Sequence, residues 1–180
     1  MIKCNLWVLV GIAGSGKSTW IGYNDWRFNE PKIVSRDKIR FSLLKDGEDY
    51  FSKEKETWRE FLNQIKDGVE NYTDVIIDAT HFNTKSRAKL FNALKKTLKD
   101  DFDNTFKCAV VIKTDVEKAI ERDSKREGRA HVGAAVIKSM AESFEMPSIE
   151  EGFDKIYVFN NNTDTDGYGY SCDTIITRRF

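Results

Sequence analysis

Eight residues near the N-terminus, Gly11-Ile12-Ala13-Gly14-Ser15-Gly16-Lys17-Ser18, fit the pattern G-x-x-x-x-G-K-[ST] at every fixed position. Each residue type has a chemical reason to stand there. Glycines let backbone N–H groups converge on an anion with no Cβ in the way. A helix starting at Lys17 would turn its positive end to the same point. Lys17 supplies a mobile cation for the outer phosphates of a triphosphate, and Ser18 a hydroxyl for a magnesium ion that keeps several of its waters. With Thr19, which follows directly, Gly11, Gly14, Ser15, Gly16, Lys17 and Ser18 make up the candidate nucleotide-binding set. The competing reading, a glycine-rich turn with no ligand, is disfavoured because the pattern lies between a buried apolar run and a helix.

Three further groups carry charge at places where chemistry needs it. Asp37, in Ser35-Arg36-Asp37-Lys38-Ile39-Arg40, follows a short apolar run. It is either the cap of the next helix or a general base facing the terminal phosphate. Arg40 lies one helical turn on, as a cation for a second phosphate or as a solvated charge. Asp78 closes the run Val75-Ile76-Ile77, as a magnesium-ordering carboxylate or a polar strand end. Thr80, His81 and Asn83 come next; Asn83 suits a helix cap, and His81 reads as a surface loop residue. The segment Glu121–Arg129 (ERDSKREGR) holds Arg122 and Arg126 on one helix face and Arg129 beyond a glycine. Such arginines belong to an exposed salt-bridged helix or to a lid that neutralises charge during phosphoryl transfer.

The elements that must position these residues are legible from periodicity. Cys4–Val10 reads as a fully buried strand, with further strands at 32–35, 74–80, 106–112 and 155–159 and an edge strand at 173–177. Helices are expected from Asp37 to about Leu44, from Asp49 to about Glu70, from Thr84 to Lys99, from Asp115 to about Lys125, and from Ala134 to Phe144. The alternation implies an α/β fold with a mostly parallel sheet of about five strands and helices on both faces. Ligands of such sheets sit at the carboxyl ends of the strands, where Gly11–Ser18, Asp37 and Asp78 all fall. No repeat or interdomain linker is evident. Residues 160–173, rich in Asn, Asp, Gly and Tyr, read as a loop or hairpin.

Composition narrows the function classes. The chain has 180 residues, of which 40% are apolar and 32% charged. Its 29 basic residues cancel 29 acidic ones, so there is no general attraction to nucleic acid or membrane. A local positive surface is expected from Lys85, Arg87, Lys89, Lys95 and Lys96. Cys4 and Cys108 lie in apolar runs and read as reduced core thiols. No CxxC pair exists, no run reaches the ~20 apolar residues of a membrane helix, and no signal peptide is evident. A cytoplasmic protein is expected, and a homo-oligomer is compatible with the sequence.

Taken together, GIAGSGKST, SRDKIR, VIIDATHFN, and RDSKR followed by VIKSM resemble the phage-type polynucleotide 5′-kinases, a group of small P-loop kinases. The resemblance covers nearly the whole chain, from Val8 to about Phe159, and implies a single P-loop kinase domain over residues 1–180, with a lid at about 122–133 and an irregular tail at about 160–180. It implies an ATP-dependent phosphotransferase using Mg2+, with a nucleic acid 5′ end as acceptor. By the same resemblance Lys17 and Ser18 bind phosphate and magnesium, and Asp78 serves the metal. Asp37 is the general base for the 5′-hydroxyl, Arg40 holds the acceptor's 3′-phosphate, Arg122 and Arg126 act on the donor, and Thr80 and Val132 contact the acceptor nucleotide. His81 stands where relatives often carry Asn, the Gly128–Gly133 stretch is slightly long, and the chain is too short for the phosphatase domain that many members carry. Asp164 and Asp166 do not follow an apolar strand and are not read as a phosphatase nucleophile. Two other readings stay open: a P-loop kinase of a nucleoside, nucleotide or metabolite, and a nucleotide-binding adaptor or switch.

Overall fold

The structure, a computed structural model, describes residues 2–24, 28, 30–162 and 172–177. Six strands form one sheet: β1 (Cys4–Val10), β2 (Lys32–Ser35), β3 (Asp74–Asp78), β4 (Thr105–Lys113), β5 (Lys155–Asn160) and β6 (Cys172–Thr177), in the order β2-β3-β1-β4-β5-β6. The first five run parallel, and β6 pairs antiparallel with β5. The sixth strand is the edge strand foreseen at 173–177, one residue longer. Residues 163–171, which include Asp164 and Asp166, lie outside the described residues.

The helices are α1 (Lys17–Asn24), α2 (Arg36–Leu43), α3 (Glu54–Asn71), α4 (Thr84–Leu98), α5 (Asp100–Asp103), α6 (Val116–Ser124) and α7 (Ala134–Glu142). β1 explains why the sheet core lacks polar alternation. Its Cys4, Leu6, Val8 and Val10 pack into the layer of α3 and α4 with Phe61, Ile65, Leu90 and Leu94, whereas Leu9 packs with Trp20 and Ile21 of α1. Both faces are covered, so both must be apolar. At Gly68 of α3 a Cβ would lie 2.7 Å from Val75 Cγ2, so glycine there lets the helix settle closely on β3. Cys4 and Cys108 are buried free thiols, and burial pushes both up to about 12, far from any thiolate chemistry. No helix among the described residues is long and apolar enough to cross a membrane.

Three expectations need correction. Asp37 does not cap α2: the helix begins at Arg36, with Ser35 in the cap position and Asp37 inside the first turn. The long helix expected from Asp49 begins only at Glu54, because residues 46–53 are taken up by turns in which the Asp49 carboxylate accepts from Phe51 N. Asp100–Asp103 is a short extra helix. Asn83 does cap α4, its side chain accepting from Ser86 N at 2.9 Å in a capping box.

Candidate active site

The chain turns at the carboxyl end of β1, between β3 and β4, the point where successive strands switch sides. Gly11–Ser18 occupies that turn. Gly14 and Gly16 have φ of 77° and 97°, which glycine adopts without strain. A Cβ on Gly14 would come within 2.3 Å of the Ala119 carbonyl oxygen, so the loop lies directly against α6. Thr80 reaches the same turn by its backbone, its carbonyl accepting from Gly11 N at 2.9 Å. Thr114, just past β4, and Asn161, just past β5, both donate to the Ser15 carbonyl, at 3.0 and 2.8 Å. Sequence reasoning missed these two braces, although they obey the strand-end rule that picked out Asp37 and Asp78.

Lys17 is buried and bends back over the loop, donating to the Gly11 and Ile12 carbonyls at 3.0 and 2.7 Å. Burial pulls its pKa down to about 8; Asp78 and Asp37 oppose that fall and Arg126 adds to it. The four groups therefore share one field, which brings together most of the charged residues singled out in the sequence. Ser18 and Thr19 are exposed in the first turn of α1. Asp78 pairs in register with Ser35 of β2, and burial raises its pKa against the pull of Lys17 and the Ser35 hydroxyl.

No group of three or more His, Cys, Asp or Glu side chains suited to a metal exists among the described residues. Magnesium takes one or two protein oxygens and fills its shell with phosphate oxygens and water. The exposed Ser18 hydroxyl at the phosphate loop and the Asp78 carboxylate acting on Lys17 are oxygen donors of that kind.

Asp37 and Arg40 meet at the start of α2. Arg40 Nη1 donates to Asp37 Oδ1 at 2.6 Å and to the Tyr50 hydroxyl at 2.9 Å, while Nη2 donates to Glu54 Oε2 at 2.8 Å. The Tyr50 hydroxyl in turn donates to Asp37 Oδ1 at 3.0 Å; burial, then Asp37, push its pKa up, which keeps that proton in place. The Arg40 side chain is 5% exposed, whereas that of Asp37 is 63% exposed. Arg40 is thus a buried clasp on an open carboxylate rather than a solvated charge. Tyr50 and Glu54 went unnoticed in the sequence because the expected helix over 49–70 hid the turn that presents them. Glu54 also pairs with Arg36.

The arginine-rich segment folds around one buried carboxylate. Asp123 is 1% exposed and accepts from Val132 N and Gly133 N at 3.0 and 2.8 Å, with His131 Nδ1 at 3.2 Å and Arg126 Nη1 at 3.6 Å. Arg122 donates to the Asn161 carbonyl at 3.1 Å, and Arg129 crosses to the turn before α3, where it meets the Lys45 carbonyl at 2.6 Å. Val132 packs its side chain on Ile12, Ala13, Ala119 and Ile137, the apolar cluster beneath the loop.

Two residues lie elsewhere than expected. His81 is not a surface residue: it is 4% exposed, φ is 41°, and Nδ1 donates to the Leu9 carbonyl at 3.2 Å. Burial lowers its pKa to about 4, so it is neutral near pH 7. Arg87 is not part of a positive surface: it is fully buried, paired with Glu151 at 2.7 Å and bonded to the His81 and Glu145 carbonyls. Lys85, Lys89, Lys95 and Lys96 are the exposed cations of α4.

A family model described as an AAA domain matches residues 6–147, most of the chain. The chain belongs to that AAA domain family. The matched region of this AAA domain starts in β1 and runs past α7, enclosing the phosphate loop, Asp37, Arg40, Asp78 and the arginine segment. An L-seryl-tRNA(Sec) kinase of Methanococcus maripaludis is 25% identical over 152 residues, 82% of this chain and 55% of that protein. The chain thus spans about half the length of the curated relative it matches. A chain of the Pnkp1/Rnl/Hen1 RNA repair complex superposes with a TM-score of 0.66 at 23% identity, covering 79% of this chain and 44% of that one. A sugar kinase from Janibacter sp. superposes with a TM-score of 0.55 at 16% identity, covering 87% and 85%. The last two likenesses establish the P-loop kinase fold and leave the acceptor open.

Proposed function

We propose that the chain is an ATP-dependent kinase that transfers the γ-phosphate to the 5′-hydroxyl of a DNA or RNA strand. The observation that carries this reading is the exposed Asp37 carboxylate, held by Arg40 and Tyr50 and sharing the field of the phosphate-loop lysine. A general base must be open to the acceptor yet fixed in direction, and the clasp supplies both. Asp37 accepts the proton of the attacking hydroxyl. Lys17 exchanges its loop carbonyls for phosphate oxygens, and Arg126 faces the charge that builds on the transferring group. Magnesium, held by Ser18 and, directly or through water, by Asp78, would neutralise phosphate charge when bound. Arg122 and Arg126 serve the donor, and Arg40 and Thr80 line the acceptor side.

Incubation with γ-labelled ATP and 5′-hydroxyl oligonucleotides tests the assignment, and label on the 5′ end is the expected result. Label absent from every oligonucleotide but present on a nucleoside or sugar would overturn the substrate class.

One observation favours that second reading, a kinase of a nucleoside, nucleotide or other metabolite. Arg40 is already matched by Asp37 and Glu54, so an acceptor phosphate would have to displace one of them. A panel of 3′-phosphorylated mononucleotides, oligonucleotides and free nucleosides separates the two.

A further inference from the structure

Phe51 is 64% exposed, more than any other large apolar side chain among the described residues. Scattered exposed hydrophobes are ordinary and need no explanation. Phe51 differs in how firmly it is held and in what it adjoins. Its N–H donates to the Asp49 carboxylate at 2.9 Å, and its carbonyl accepts from Glu54 N at 3.1 Å, so the turn is tied at both sides. Its ring stands edge-on to Tyr50, with centroids 4.8 Å apart and planes at 84°. The hydroxyl of that same Tyr50 touches Asp37. The Arg40 guanidinium lies over both rings, 4.5 Å from Tyr50 and 5.7 Å from Phe51.

A flat apolar surface one residue from the hydroxyl that orients the proposed base is placed for a planar group carried by the acceptor. A nucleoside brings such a group within a few bonds of its 5′-oxygen. Val132, the position that the resemblance assigns to the acceptor nucleotide, has its side chain packed on the phosphate-loop cluster. Phe51, beside the Asp37–Tyr50 contact, offers a second and more exposed apolar surface.

We propose that Phe51, with Tyr50 edge-on beside it, stacks on the terminal nucleobase of the acceptor and so makes the kinase select base-bearing 5′ ends. The inference rests on the reading of the site as a kinase for nucleic acid ends. Stacking on an aromatic side chain is tolerant of sequence, because every base presents a π-face. The four bases should accordingly serve about equally well, and an abasic end poorly.

The test crosses two changes. Oligonucleotides ending in a normal or an abasic 5′-terminal nucleotide are phosphorylated by the wild-type chain, Phe51→Ala and Phe51→Trp. With the base present, Phe51→Ala should raise KM by roughly 5- to 100-fold, the usual range for one stacked base. On the abasic acceptor it should change KM little, and Phe51→Trp should behave like the wild type. A 2-aminopurine at the 5′ end should be quenched on binding the wild type and remain bright with Phe51→Ala. Equal KM for normal and abasic ends in the wild type, or equal loss on both acceptors in Phe51→Ala, would overturn this inference alone. Failure to label any oligonucleotide would overturn the parent reading and this one with it.

Discussion

At the scale of single residues, the site depends on charges whose state burial has altered. Lys17 is the clearest case. With a pKa of about 8 it is charged at pH 7 and loses its proton as pH rises through that value. The protonated form is the one that binds phosphate, so ATP affinity should weaken with rising pH, by about tenfold at one unit above the pKa. Calorimetric titration from pH 7 to 9 reads this directly, and constant affinity would contradict it. Asp37→Asn keeps the acceptor for the Arg40 guanidinium but removes the basicity. The turnover number should fall by roughly 100- to 10,000-fold while ATP affinity stays near the wild-type value. A variant that retains full rate would remove Asp37 from the chemistry. Some of this was legible in advance: Asp37 and Asp78 stood out at the ends of apolar runs, and Arg40 by lying one helical turn beyond Asp37. Tyr50 and Glu54 did not, since a turn inside a polar stretch leaves no periodic mark. His81 carried no signal either. Its burial follows from the path of the chain beneath Leu9, which only the fold decides.

At the scale of elements, the phosphate loop and α6 are built as one piece. Gly14→Ala would set a methyl group against the Ala119 carbonyl at a φ of 77°. It should lower stability by roughly 1–3 kcal/mol and weaken nucleotide binding sharply. Gly22, in the middle of α1, meets nothing within 4 Å and makes the control: Gly22→Ala should be neutral or stabilising by up to about 1 kcal/mol. Thermal unfolding of the two variants decides the matter, and equal effects would contradict it. Arg87 ties the start of α4 to the turn after β3 and to residues 145–151. Arg87→Met should destabilise by roughly 3–5 kcal/mol, because Glu151 would be left a half-buried charge without its partner. Adding Glu151→Gln should restore part of the loss in a denaturant titration. Here the sequence held a clue that composition concealed. Arg87 shares the inward stripe of Leu90, Phe91, Leu94 and Leu98, yet lies among lysines that draw the eye to a charged surface. The strands were legible as apolar runs, while their order across the sheet is a long-range property that no local pattern encodes.

At the scale of the whole molecule, stability should respond to acid through one buried imidazole. His81 has a folded-state pKa of about 4 against an ordinary value of 6.5. Between those values the unfolded chain takes up a proton that the folded chain refuses. Stability is therefore lost as pH falls from 6.5 toward 4, by on the order of 3 kcal/mol from this group. His81→Asn should flatten that slope in urea titrations run across the range; an unchanged slope would show that other groups carry it.

Asp123 has a consequence for what this scaffold tolerates. Both ends of the arginine segment close on the same carboxylate, which holds the last turn of α6 and the first residues before α7 together. The chain between them is a loop on a fixed base. It can be lengthened without shifting either helix, as loops with anchored ends usually can. The junction of Glu127 and Gly128 is accordingly the place to insert a reporter peptide, with Asp123 as the anchor and Arg126 and Arg129 left in place.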